Sequence, residues 1–430
     1  MFANLMRMPL VAGTSSSLDS DIRRCRAADV TVTFRRGDGT PLANREMVVE
    51  QRSHQFLFGG NGHGAIALAN GELSGAAREQ AEDLNHKLLG LFNFITLPFY
   101  WQRFEPERGQ PDTRRLLNAA EWFVQHGCVV KGHPLCWHTL SPDWLLGLAD
   151  DEIIEAQLAR IRRDVTDFAG VIDAWDVINE VVIMPIFEKY DNGVTRMCRN
   201  LGRIGMIRAT FEAARAANPR ATLLLNDFDM SAAFDCLIEG CLEAGIQIDA
   251  IGLQSHMHQG WWGVEKTLRV LDRFGRYGLP LHLTETNLVS GHLMPAHIED
   301  LNDYQVESWP TTPEGEARQA EEAVLHYKAL LSRPLVQAIT WWDFRDGGWL
   351  KAPAGLVRAD QSPKPAYAAL HQLIKRDWWI APTRIATDSA GTLRFNGFLG
   401  EYVASCEGRT IHFEVGQSPE ATFQLTFEGI

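Results

Sequence analysis

The chain has 430 residues and is 45% hydrophobic, enough for one large core plus an appended module. Its formal net charge of −13 (41 Lys+Arg against 54 Asp+Glu), with no Lys/Arg-rich run, excludes nucleic acid as the expected partner, because phosphate binding needs a basic surface. Seven cysteines without a Cys-x-x-Cys point to free thiols rather than a disulfide framework or zinc knuckle, and no run is long enough to span a bilayer.

Residues 1–25 read as a loose arm. Met1–Ser17 resembles a leader only weakly, since Arg7 interrupts its apolar stretch and Leu10–Gly13 is too short for an h-region. A cytoplasmic protein is therefore expected, with secretion as the alternative if this atypical segment is a leader. Residues 26–55 alternate: Val30, Val32 and Phe34 share a face, Gly37-Asp38-Gly39 turns, and Met47, Val48 and Val49 follow, which predicts a β-hairpin.

From residue 56 to 376 the rhythm changes to short apolar runs separated by helical patterns. The runs are Phe56–Asn61, Asn93–Pro98, Val129–Leu135, Ala174–Glu180, Thr222–Asp227, Ala250–His256, Leu281–Glu285 and Ala338–Phe344. Helices are predicted over Ala76–Leu91, Arg114–His126, Asp151–Phe168, Arg199–Ala217, Ala232–Ala244, Val264–Tyr277, Pro313–Leu331 and Pro365–Arg376. Eight strands, each followed by a helix, define an α/β fold of the TIM (β/α)8 barrel type. Residues 377–430 return to short alternating strands: Thr392–Phe395, Tyr402–Ser405, Thr410–Val415 and Ala421–Phe427. A closed barrel brings its ends together, so the two terminal segments are expected to form one small accessory β module.

The polar residues of the barrel gather at the C-terminal ends of its strands: Asn61, His133, Glu180, Asn226, Asp227, Gln254, His256, Glu285, Trp342 and Asp343. That face is where active sites form in this fold. A lone carboxylate ending an apolar strand is usually an ion-pair partner or a helix cap. Glu180 and Glu285 end strands four and seven, nearly opposite in the ring, and both have His and Asn neighbours. Paired carboxylates suit glycoside cleavage, one protonated to help the leaving oxygen depart and one ionised to attack the anomeric carbon, at about 5–5.5 Å in retaining enzymes.

Five strings, taken together, resemble glycoside hydrolase family 10, the retaining endo-xylanase family. Trp175-Asp176-Val177-Ile178-Asn179-Glu180 is similar to its acid/base motif and His282-Leu283-Thr284-Glu285 to its nucleophile strand. Lys131-Gly132-His133-Pro134-Leu135-Cys136-Trp137-His138, Ile251-Gly252-Leu253-Gln254-Ser255-His256 and Lys364-Pro365-Ala366-Tyr367 resemble its third strand, sixth strand and closing motif. The resemblance covers Phe56 to Leu373 and implies a catalytic pair of Glu180 (acid/base) and Glu285 (nucleophile), with no cofactor and no metal. It implies that Asn179 holds the sugar 2-hydroxyl, that His256 orients Glu285 with support from Gln254, and that Asn226 and Asp227 brace the acid/base. His133, Trp137 and His138 are implied sugar contacts, and Trp342 and Trp349 a hydrophobic wall. For His138 and Trp349, ordinary packing is the competing reading.

One segment departs from the family. Where it usually has Thr-Pro-Glu-Asn and then Met-Lys-Trp, this chain has Thr96-Leu97-Pro98-Phe99-Tyr100-Trp101. The polar clamp for a second backbone sugar is missing and aromatic surface is expected instead, so short, decorated or non-xylan β-glycosides are the expected substrates. Two rival readings remain: a sugar-binding barrel that has lost catalysis, and a metal-dependent barrel hydrolase using His256 and His258. Gly59-Gly60-Asn61-Gly62-His63-Gly64 lacks phosphate-loop spacing and reads as a loop after strand one. The sequence carries no sign of the oligomeric state.

Overall fold

The computed structural model describes residues 12–418 and 420–429. In chain order, β1 (Ala27–Arg36) and β2 (Glu46–His54) precede eight strands that close into a barrel. These are β3 (Leu57–Asn61), β4 (Phe94–Pro98), β5 (Val129–His133), β6 (Ala174–Asn179), β7 (Thr222–Asp227), β8 (Ala250–Met257), β9 (Leu281–Leu288) and β10 (Val336–Trp341). Each pairs in parallel with the next, and β10 returns to β3 through Ala338 opposite Leu57. The strands are buried on both faces, inward against one another and outward against the helices, which is why they read as continuous apolar runs.

The intervening helices fall close to the expected ranges, for example Gly75–Leu91, Asp150–Asp167 and Pro313–Leu331. The helix before β7 starts at Gly193, ahead of the expected Arg199, capped by Asn192 Oδ1 on the Thr195 N–H at 2.7 Å. The last helix ends at Gln372, and a wider π turn, Leu373–Asp377, takes its place where a plain helix to Arg376 was expected.

Two expectations at the N-terminus are corrected. The loose arm of 1–25 is, from Ala12 onward, the helix Ala12–Arg26; residues 1–11 lie outside the described residues. Leu18 and Ile22, one turn apart, are buried, and Asp19 pairs with Lys328 of the helix Pro313–Leu331 at 2.9 Å. An apolar stripe that narrow gives little periodic signal. The hairpin does not form either. β1 pairs with β12 (Thr392–Phe398) and β15 (Glu420–Phe427), whereas β2 pairs with β11 (Thr383–Ala386) and β13 (Gly400–Cys406), which carries β14 (Arg409–Val415) at the edge. The inward residues of the two sheets, among them Val32, Phe34, Met47, Val49, Tyr402 and Phe427, share one core. The terminal segments thus build a β-sandwich beside the barrel. Alternation fixes which face of a strand is buried but not which strand lies next to it. Among the described residues no helix is long and apolar enough to cross a membrane.

Arg26 joins the sandwich to the barrel. It is buried, and its guanidinium donates to three carbonyls at the N-terminal rim: Leu331 at 3.0 Å, Arg333 at 2.5 Å and Val336 at 2.6 Å. Its charged plane also lies 5.0 Å from the Phe56 ring centroid. Replacing it strands those carbonyls away from water. Arg26→Met is expected to lower unfolding free energy by about 2–4 kcal/mol, with turnover per folded molecule unchanged. Urea titration alongside an activity assay checks this, and a variant with wild-type stability would show that the guanidinium is not the tie.

Candidate active site

The strand β6 stops at Asn179, and Glu180 adopts a left-handed backbone (φ 59°) that residues other than glycine seldom take. Its N–H donates to the Asn226 carbonyl at 2.9 Å, so the neighbouring strand holds the turn. The Glu180 carboxylate receives Trp137 Nε1 at 2.7 Å on one oxygen. The other receives Gln254 Nε2 at 3.1 Å and Asn179 Nδ2 at 3.2 Å.

Glu285 lies in mid-β9, and a register slip between Leu253 and Gln254 sets Gln254 opposite it. Bulged pairings of this kind re-aim side chains near active sites. His256 Nε2 is 3.0 Å from one Glu285 oxygen, and Asn226 Nδ2 donates to the other at 3.0 Å. Asn226 also donates to Asn179 Oδ1 at 2.7 Å and accepts from Thr284 Oγ1 at 2.6 Å. Two amides, Asn179 and Asn226, therefore connect the two carboxylates in one network.

Beneath them is a fully buried charge group. Asp176 accepts Lys131 Nζ at 2.6 Å and His133 Nδ1 at 2.7 Å, and the other ring nitrogen of His133 stands 3.9 Å from Glu285. Lys131 and Asp176 occur within the motif strings but their role was not read from the sequence. The available signal was a charged residue in the middle of an otherwise apolar barrel strand, which has to be paired.

These surroundings push the two glutamates in opposite directions. Burial, and then the charge of Glu285, raise the Glu180 carboxyl to about 8. Burial acts the same way on Glu285, but His133 and His256 outweigh it and hold that carboxylate below its usual range. Asp176 is likewise held low against burial, by Lys131 and His133.

The remaining expected residues divide. Trp342 is buried, its ring 5.2 Å from His133 and 6.1 Å from His256. Trp349 packs 4.7 Å from His256. Gln254 bonds the Glu180 side of the network rather than Glu285. Asp227 touches neither carboxylate; it accepts the N–H groups of Val182 and Asp229, both at 3.0 Å, and so fixes the loop after Glu180, with burial raising its own carboxyl to about 7. His138 is buried 4.4 Å from the Phe187 ring, and no hydrogen bond links it to either glutamate.

The aromatic surface expected from Phe99, Tyr100 and Trp101 reduces to one ring. Phe99 packs inward against Trp175 at 4.8 Å, and Trp101 is buried against Trp144 at 5.4 Å with its Nε1 on Glu105 at 3.0 Å. Only Tyr100 remains partly exposed, 5.9 Å from the His133 ring and 5.7 Å from that of Trp137. The physical reason is alternation through a tight turn, which sends successive rings to opposite sides. Among the described residues no three His, Cys, Asp or Glu side chains are grouped to hold a metal ion; His256 is taken up by Glu285, and His258 is buried beside Trp309 and Trp349.

A family model described as glycosyl hydrolase family 10 matches residues 63–373. The chain is 27% identical over 303 residues to endo-1,4-beta-xylanase B of Thermotoga neapolitana, covering 66% of this chain and 81% of that one. It is 25% identical over 295 residues to an endo-1,4-beta-xylanase of Geobacillus stearothermophilus, covering 62% and 84%. Among solved structures, xylanase 10B from Thermotoga petrophila RKU-1 in complex with xylobiose superposes with a TM-score of 0.60 at 23% identity, covering 75% of this chain and 95% of that one. Native xylanase 10B from Thermotoga maritima gives 0.60 at 23%, covering 75% and 96%. At such identity the superpositions speak to the barrel alone, whereas the family match runs through nearly all of it, from the loop after β3 to the last helix. The chain belongs to glycosyl hydrolase family 10 and is a glycoside hydrolase.

Proposed function

We propose that the protein hydrolyses β-glycosidic bonds in xylan-like oligosaccharides by double displacement, with Glu285 as nucleophile and Glu180 as acid/base. The observation that carries this reading is the opposite displacement of two networked carboxyls. Glu180 is held protonated around neutrality and Glu285 ionised. In the first step Glu285 attacks the anomeric carbon while Glu180 passes its proton to the departing oxygen. In the second, Glu180 takes a proton from water, which displaces Glu285 from the glycosyl-enzyme. Asn179 has its oxygen engaged by Asn226 and Gln254 at 2.7 and 3.0 Å, which fixes the face its amide presents toward a sugar 2-hydroxyl. His133, Trp137 and Trp342 line the same mouth as sugar contacts. The xylan-like substrate class rests on the named activity of the relatives. The departing segment at Tyr100 supports short or decorated chains over plain xylan, since a site with no partner for a hydroxyl cannot favour it.

Glu285→Ala is expected to abolish turnover. Glu180→Ala should keep activity on aryl glycosides with good leaving groups and be accelerated by azide, which traps the glycosyl-enzyme. Proton NMR of the first-formed sugar should show the starting anomeric configuration. Inversion, or normal turnover of an unactivated glycoside by Glu180→Ala, would sink the mechanism. Binding of oligosaccharide without hydrolysis of any aryl glycoside would favour the non-catalytic barrel.

The pH dependence follows from the same displacements. Glu180 must carry its proton, so kcat/KM should fall as pH rises through about 8. With an activated substrate that needs no acid, Glu180→Gln should lose this alkaline limb. Because the folded-state value lies above the unfolded one, the folded protein binds the extra proton, and stability is lost as pH rises from the unfolded value through about 8. Glu180→Gln should therefore gain stability relative to wild type at pH 8 more than at pH 4. Thermal melts at the two pH values check this; an equal effect at both would contradict it.

A further inference from the structure

The loops after β7 (228–231) and β8 (258–262) are short, whereas those after β6 (180–192) and β9 (289–312) are long. These two loops follow the strands that carry Glu180 and Glu285, three places apart in a ring of eight; the loops after β5 (134–149) and β10 (342–364) are long as well. The loops after β6 and β9 meet: Lys189 Nζ lies 2.6 Å from Asp300 Oδ2 and 2.8 Å from Asp303 Oδ1. The loop bearing the aspartates is a braced arm. Val289, Met294, Trp309, Ala352 and Ala354 form a small core of their own beneath it. Gln259 donates to the carbonyls of Pro295 at 3.0 Å and Ile298 at 2.7 Å, and Trp349 Nε1 donates to Asn302 Oδ1 at 3.2 Å. The arm is thus fixed to the loops on both of its flanks, and its tip reaches the opposite wall.

We infer that this ion-paired contact between Lys189 and Asp300/Asp303 bridges the cleft and sets the length of chain the enzyme accepts, favouring oligosaccharides and chain ends over internal bonds of long polymers. The inference rests on the glycosidase reading above. A bridge between the loops after β6 and β9 divides the barrel mouth. The Tyr100, His133 and Trp342 side lies on one hand and the short loops after β7 and β8 on the other. A polymer bound across both would have to pass beneath the bridge, while a short chain need not. The three side chains are partly exposed (48%, 39% and 64%), so the pairs are screened by salt and add little to stability. They can open without unfolding the loops, which makes the bridge a selector and not a wall.

The test compares kcat/KM on an aryl β-xylobioside, xylotetraose and long linear xylan. Lys189→Glu is expected to leave the aryl substrate unchanged and to raise the xylan-to-xylotetraose ratio by about fivefold, the scale on which an exposed pair shifts an opening equilibrium. High salt on the wild type should move the ratio the same way. Adding Asp303→Lys to Lys189→Glu restores an opposite-charge pair and should bring the ratio back. A ratio unmoved by Lys189→Glu while the aryl substrate is still hydrolysed would overturn the bridge and leave the glycosidase reading standing. No hydrolysis of any of the three by the wild type would fell that reading and the bridge with it.

Discussion

Asp176 is an ionised carboxylate with no access to water, and the chemistry above it depends on how that charge is balanced. Lys131 and His133 both donate to it, and in doing so His133 is oriented through one ring nitrogen so that the other faces Glu285. The positive side of this buried group leans toward one glutamate and not the other. Glu180 receives only neutral donors from Trp137, Asn179 and Gln254, and it stands in the field of an ionised neighbour. The difference between two chemically identical side chains therefore originates partly one layer below them, on β5 and β6, and partly in His256 of β8, which bonds Glu285 alone. Removing Lys131 would take the ammonium partner from a carboxylate buried in the barrel, the costliest way to break such a group.

Backbone geometry contributes the rest of the asymmetry. Glu285 lies within β9, bulged there but paired to a strand on each side, and inherits the rigidity of the barrel wall. Glu180 stands just past the end of its strand in a left-handed conformation, held by the Asn226 carbonyl behind it and by Asp227, which pins the N–H of Val182 ahead of it. The proposed acid/base is thus mounted on a turn locked from both sides, and its position does not depend on loop mobility. Stored strain at such a point persists only because the surroundings over-determine it.

Much of this was legible in the chain. Runs such as Thr222–Asp227, ending in polar residues, identify barrel strands and their functional rim together, because a strand buried on both faces accepts polarity most readily at its end. Glu180 stands just past the end of its strand, as that constraint implies; Glu285 was expected to end its strand too, but β9 runs on to Leu288 and leaves it in mid-strand. What could not be read is pairing and facing. β1 and β2 alternate as a hairpin would, yet they belong to different sheets. Thr383–Ala386 escaped notice because it is an edge strand with almost nothing buried. Three consecutive aromatics gave no hint that only Tyr100 faces the site, and His138 sits beside Trp137 in the chain but packs elsewhere. Composition names the groups available; only the turn geometry says which side each is on.

The parallel pairing of β1 with β15 has a consequence for how the molecule comes into being. Asp29 aligns with Glu420 and Arg36 with Phe427, so β1 finds this partner only after the entire barrel has been synthesised. Until then β1 presents an open hydrogen-bonding edge and an uncovered apolar face, the combination that recruits other chains. Contacts of such sequence separation also form slowly. The barrel can close around its own strands during this interval, but the sandwich cannot. Interrupted translation would thus leave β1 without this partner, a natural target for chaperones and proteases.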